Sequence, residues 1–337
     1  MGSEIIKFDM IDFKHSIFIL CLIVLSACST EPQQKTKAVS KPKAKIEIPT
    51  FNADSAYFYV EKQVSFGPRV ISSKAWKNCA IWLEKKFLQY TPNVIVQEAP
   101  TTTYDGKHHT LKNIIASFSP KKNNRIALFA HWDSRHIADH DTENQNNPIL
   151  GANDGGSGVG VLIELARQFS IKNPKIGIDI ILFDAEDYGQ PENSKYPIMQ
   201  DSWCLGSQYW SNNPHKANYF ARYGILLDMV GAKDATFRHE YFSRYFASTI
   251  LQKVWRKASR LGFGNYFIFE NSNQVLDDHY YVNTLAGIPT IDIIEYDPGT
   301  ESNFNQHWHT HKDDMDNIDK NTLNAVGQTL LEVIYNE

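Results

Sequence analysis

Hydrophobic positions along the chain follow two alternating rhythms. In Asn52 to Phe66 and Ser73 to Tyr90, apolar residues return at three- and four-residue spacings, as in amphipathic helices. Val94 to Val96, Leu111 to Phe118 and Arg125 to Ala130 are short β-branched or apolar runs that read as strands. From there the two types alternate: helix Gly158 to Phe169, strand Gly177 to Phe183, helix near Gly206 to Ser211, strand Tyr223 to Leu227 and helix Tyr245 to Leu261. Strand Tyr266 to Phe269, helix His279 to Ala286, strand Thr290 to Ile294 and helix Asn321 to Tyr335 complete the series. This predicts an α/β fold with one domain, a mixed, largely parallel twisted sheet sandwiched by helices. No repeat or low-complexity break follows Phe51, so residues 50–337 are expected to form a single domain.

Ahead of that domain the pattern changes. Lys14 and His15 precede an apolar run, Ile17 to Leu25, too short to span a bilayer as a mature helix but suited to a secretory signal. Leu25-Ser26-Ala27-Cys28 resembles the lipobox of bacterial lipoproteins, in which the Cys28 thiol would carry lipid. Residues 1–27 are thus read as a lipoprotein-type signal segment, with Met10 as an alternative start. Residues 28–49, rich in Lys, Pro, Gln and Thr, read as a flexible linker. The expectation is an exported bacterial lipoprotein anchored through Cys28 in the cell envelope, on a periplasm-facing membrane. A plain cleaved signal and an N-terminal anchor helix are the alternatives.

The 337 residues are 42% hydrophobic and 21% charged, which excludes a disordered or collagen-like chain. A domain of this size buries roughly 75% of the surface its unfolded chain exposes, so a metal is not needed merely to hold its core. Lys and Arg number 34 against 38 Asp and Glu, which leaves no broad basic face for nucleic acid. With Cys21 in the signal core and Cys28 in the lipobox, the four cysteines reduce to Cys79 and Cys204 in the domain. An exported chain could join these two or keep them as buried thiols.

Ligands of open parallel sheets bind beyond the carboxyl ends of the strands. Here Arg125 to Ala130 runs into His131-Trp132-Asp133, Ile178 to Phe183 into Asp184-Ala185-Glu186-Asp187, and Ile225 to Leu227 into Asp228. Three strands would deliver carboxylates or imidazole to one rim. Gly151-Ala152-Asn153-Asp154-Gly155-Gly156 opens a helix but lacks the spacing of a phosphate loop, so Asp154 reads as a metal ligand or a helix cap. In Glu186-Asp187, one acid can bind metal while its neighbour acts as general base. Of the imidazoles in His307-Trp308-His309-Thr310-His311, His309 is the preferred ligand, with His307 and His311 at the surface. Asp154, Asp187 and His309 would make an open, three-ligand zinc site of catalytic type.

His131-Trp132-Asp133, Gly151 to Gly155, Asp184 to Asp187, Leu227-Asp228 and Trp308-His309-Thr310 resemble, in order, the motif series of the zinc aminopeptidase-like (M28) fold, across Phe51 to Glu337. Within it the chain looks most like glutaminyl cyclases of the animal type and their bacterial relatives, through His131 to Arg135, Ala138-Asp139, Asp277-Asp278-His279 and Trp308 before His309. The resemblance implies conversion of N-terminal Gln, and more slowly Glu, of peptides and proteins into pyroglutamate. It implies zinc on Asp154, Asp187 and His309, Glu186 as proton shuttle, Asp228 and Asp277 in an acidic network beside it, and Trp308 as a pocket wall. Two-zinc relatives use His131 and Asp228 for a second ion, and this chain keeps both residue types; the cyclase likeness favours one ion. Animal cyclases have Glu at the position of Asp187, and the Trp that follows their acidic pair has no counterpart in Tyr188 to Glu192. Trp203 would replace it at the pocket or belong to the core. The alternatives are a zinc aminopeptidase and a silent peptide-binding lipoprotein.

Overall fold

Side-chain caps decide where the first helices begin. Asn52 accepts from Ser55 N ahead of α1 (Ala53–Val64), and Ser73 accepts from Trp76 N ahead of α2 (Lys74–Leu88). This is a computed structural model that describes residues 47–337. The expected signal segment 1–27, Cys28 and nearly all of the linker lie outside the described residues.

Among the described residues the chain continues through β1 (Val94–Thr102), β2 (His108–Phe118), β3 (Arg125–His131), α3 (Gly156–Ile171), β4 (Gly177–Phe183), α4 (Leu205–Asn212) and β5 (Gly224–Asp228). It ends with β6 (Phe237–His239), α5 (Tyr241–Arg260), β7 (Phe267–Asn271), α6 (Asp278–Thr284), β8 (Thr290–Ile294) and α7 (Lys320–Tyr335). The main sheet has the order β1-β2-β4-β3-β5-β8. Strands β4, β3, β5 and β8 are parallel, β2 runs antiparallel to β4, and β1 antiparallel to β2.

The four parallel strands are buried at every residue, as strands covered on both faces must be. Their side chains alternate between two cores. Leu128, Ile180 and Ile225 pack with Val60, Leu83, Leu162 and Leu330 on one face. Phe129, Ile181, Phe183 and Leu226 pack with Trp210 and Val282 on the other. Each fully buried aliphatic or aromatic side chain contributes about 1.5–3 kcal/mol, so both cores oppose any tilt of these strands. Helix α3 lies hard against the end of β5: a Cβ on Gly158 would come within 2.3 Å of the Leu227 carbonyl oxygen.

Two elements depart from the sequence expectation. The strand near Tyr266 to Phe269 does not join the main sheet; β7 pairs with β6 in a separate parallel ribbon. Three-residue β6 is too short to show a period. Helix α5 starts at Tyr241 rather than Tyr245 because the Glu240 carboxylate accepts from Phe242 N and Ser243 N. Glu is an uncommon cap, so the usual start signal is missing.

Candidate active site

Parallel β3, β4 and β5 end at one edge of the sheet, and each ends on acid or imidazole: His131, the turn Asp184 to Asp187, and Asp228. The turn before α3 adds Asp154, and the segments after β7 and β8 add Asp277, Trp308 and His309. Together they enclose a cavity of about 390 Å³, with Asp154, Glu186, Asp187, Asp228, Asp277 and His309 on its polar side. Trp203, Phe304 and Trp308 form the aromatic side.

Asp154, Asp187 and His309 share one point, with one ligand atom of each within 4.8 Å of the other two. His309 Nε2 stands 3.3 Å from Asp187 Oδ1 and 3.7 Å from Asp154 Oδ2. Donor atoms around tetrahedral zinc, each about 2.0–2.1 Å from the ion, are about 3.3 Å apart, so the trio fits such an ion. Asp154 Oδ2 and Asp187 Oδ2 are buried without a hydrogen-bond partner, the condition a cation would relieve. His131, Asp154 and Asp228 form a second trio. Its spacing is similar: His131 Nε2 lies 3.0 Å from Asp154 Oδ1 and 3.1 Å from Asp228 Oδ1.

Burial dominates the electrostatics. It pushes Glu186 well above the usual carboxylate range. Burial and then the Asp187 charge raise Asp154 to about 7, and burial and then the Asp228 charge raise Asp277 to about 6. In Asp187 burial pulls the same way, but the hydrogen bond and charge of His309 outweigh it and the net shift is downward. Burial works against a charged His131, yet hydrogen bonds to Asp133, Asp154 and Asp228 hold its pKa well above the ordinary value.

Residues without a separate role in the sequence reading fix these groups in place. The Asp133 carboxylate accepts from Glu186 N at 3.1 Å and from Asp187 N at 3.2 Å. The Asp313 carboxylate accepts from Asn153 N at 2.8 Å and Asp154 N at 3.1 Å. Buried Arg135 donates to Asp139 at 2.9 and 2.6 Å and to the Asp187 carbonyl at 2.9 Å. Asp139 in turn stands 3.1 Å from His309 Nδ1. Arg135 and Asp139 sit in the His131 motif, where a helper is foreseeable; Asp313 carried no sequence signal.

Trp308 stacks on His309 with ring centroids 3.7 Å apart, and Trp203 lies nearly parallel to His309 at 6.0 Å. The Arg135 guanidinium sits 4.3 Å from the Trp203 ring centre. Trp203 is therefore a pocket residue, half-buried, and not part of the core. Gly189 makes room for it, since a Cβ there would fall 1.8 Å from the indole. Cys79 and Cys204 are both buried and free. Cys204 donates its thiol to Glu186 Oε1 at 3.3 Å, a contact without sequence precursor. His311 turns away to Asp141, with Nδ1 2.8 Å from the carboxylate, and His307 lies outside the trio. Four non-glycine residues around the cavity have left-handed backbone: Ala185 (φ 53°), Cys204 (φ 58°), Met229 (φ 47°) and His309 (φ 56°).

Residues 113–334 match peptidase family M28. A Zn-dependent exopeptidase from Parabacteroides distasonis ATCC 8503 is 53% identical, with a TM-score of 0.85 over 86% of this chain and 100% of that one. Tannerella forsythia glutaminyl cyclase is also 53% identical, with a TM-score of 0.84 and the same coverage. Glutaminyl-peptide cyclotransferase of Bos taurus is 24% identical over 247 residues, 66% of this chain and 65% of that protein. The chain thus spans about 65% of the length of this curated relative.

Proposed function

The chain belongs to peptidase family M28, and on that premise we propose that it is a zinc-dependent glutaminyl cyclase, an acyltransferase that turns N-terminal Gln of peptides into pyroglutamate with release of ammonia. N-terminal Glu would react more slowly. The observation that carries this reading is the meeting, in one cavity, of Asp154, Asp187 and His309 at ligand spacing with Glu186 beside them and Trp203, Phe304 and Trp308 as aromatic walls.

When bound to Asp154, Asp187 and His309, zinc supplies a Lewis acid for the γ-carbonyl of the substrate. N-terminal Gln holds its α-amine close to its own γ-amide, so the site need only fix one folded conformer. Trp203, Phe304 and Trp308 enclose that small neutral side chain and keep water out. Glu186 takes a proton from the attacking amine and returns it to the departing ammonia as the new N–C bond forms and the C–NH2 bond breaks. Its burial favours the protonated form needed for the second half of this transfer. Asp277, which with Cys204 stands within 4.8 Å of a Glu186 ligand atom, would receive the amide hydrogens, with Asp228 beside it.

Incubation with a Gln-initiated peptide tests the reading. Ammonia release with every residue retained supports the cyclase; free glutamine supports the aminopeptidase. Zinc counted per purified chain should be close to one. Anchoring of the exported chain through Cys28 belongs to the same proposal, and Cys28→Ala should abolish incorporation of labelled palmitate in cells.

A further inference from the structure

Strand β8 ends at Ile294, and the next residue, Glu295, is a buried carboxylate that does not line the cavity. Its two oxygens point to two different segments. Oε2 accepts from Asn153 Nδ2 at 3.1 Å, and Oε1 accepts from Asn305 Nδ2 at 3.0 Å. Asn153 immediately precedes Asp154. Asn305 opens the turn that leads to His309, its carbonyl accepting from Trp308 N at 2.9 Å.

Neither amide is free to turn over. Asn153 Oδ1 accepts from Gly231 N at 2.8 Å, and Asn305 Oδ1 accepts from His307 N at 2.9 Å. Backbone N–H groups only donate, so both side chains must keep oxygen toward the backbone and present NH2 to position 295. A residue held between two donors has to accept on both of its atoms. An ionised carboxylate does this; a primary amide of the same shape meets one donor with another.

We propose that Glu295 is a positioning residue for the metal centre, a double acceptor that ties the turn carrying Asp154 to the loop carrying Trp308 and His309. The inference rests on the zinc reading above and adds to it the element that keeps two distant ligands in register. Groups hydrogen-bonded directly to metal ligands commonly affect metal affinity by about 10–100-fold, and Glu295, acting through the neighbours of Asp154 and His309, falls at the lower end of that range.

The test is the rate at which zinc passes from the loaded full chain to a chelator, compared between wild type, Glu295→Gln, Asn305→Ala and the double variant. It is run at about pH 8, above the value of about 7 to which burial pushes the Glu295 carboxyl up. Glu295→Gln and Asn305→Ala should each speed zinc loss by about 10-fold or more, with wild-type far-UV circular dichroism. The double variant should be no faster than the faster single one, because both break the same bridge. If position 295 only fills space, Glu295→Gln will hold zinc as wild type does, and that result overturns the proposal. Should Glu295→Gln fail to fold, Asn305→Ala decides alone, since it changes a half-buried loop residue; unaltered zinc loss overturns the proposal. A wild-type chain that takes up no zinc would sink the underlying metal reading instead.

Discussion

The site joins two halves built by different means. His131, Glu186, Asp187 and Asp228 stand at the ends of parallel strands whose every residue is buried, so their backbone is fixed by two hydrophobic cores. Trp203, Asp277, Trp308 and His309 come from irregular segments, held by side-chain links such as Arg135 to Asp139 and Asn305 to Glu295. In the proposed reaction the first half carries Glu186, the proton shuttle, with Asp228 nearby, while their partner Asp277 belongs to the second. The second supplies the aromatic walls, and one ligand of the metal trio reaches across from it. This suggests that turnover depends on the strand half, binding of the side chain on the loop half, and the metal on both.

The strongest way to break that division is to strip the metal. Prolonged chelation should abolish cyclisation, and added zinc should restore it; in the stripped protein, limited proteolysis should cut first in 297–310 rather than at a strand end. Next in size is Glu186→Gln on the strand half. It should lower kcat about 10²–10⁴-fold with little change in KM and with zinc still bound, as single-turnover kinetics and metal analysis would show. Trp203→Ala, on the loop half, should do the reverse, raising KM roughly 10-fold while kcat moves little. A kcat loss that matched the one from Glu186→Gln would erase the proposed separation.

The smallest effect is on stability alone. Burial works against ionised Glu240, but the hydrogen bond and charge of His279 prevail and bring its pKa from 4.5 down to about 2. The fold therefore favours the charged form. This contribution is complete above about pH 4.5 and disappears as the pH falls toward 2. Glu240→Gln should flatten the loss of stability across that window, read from urea midpoints.

Legibility in the sequence follows the same line. Strands buried on both faces must be continuous apolar runs, and an acid or imidazole that ends such a run is visible at once, as at Ala130-His131 and Phe183-Asp184. The same reasoning applied to Ile294-Glu295 would have marked Glu295, but one acid after one strand is ordinary. The loop half has no period to read. Alternating His307, His309 and His311 are equivalent in spacing; the resemblance at Trp308-His309-Thr310 singles out His309, and the left-handed turn there, with Asp139 and Asp187, is what sets it apart in space. Trp203 reaches the pocket because Gly189, far from it in spacing terms, leaves its ring a place. Asp313 holds Asp154 from near the end of the chain, a pairing that no local pattern encodes.

Ala185, Cys204, Met229 and His309 each take a backbone form that costs a non-glycine residue on the order of 1 kcal/mol or more. Glycine at Ala185 would relieve it for the loss of one buried methyl group, whereas at buried Met229 the lost side chain would outweigh the gain. Heat-resistant variants selected without regard to turnover should accumulate such replacements, and their catalysis should fade as their melting points climb. In this molecule, robustness and precision of aim pull on the same few peptide units in opposite directions.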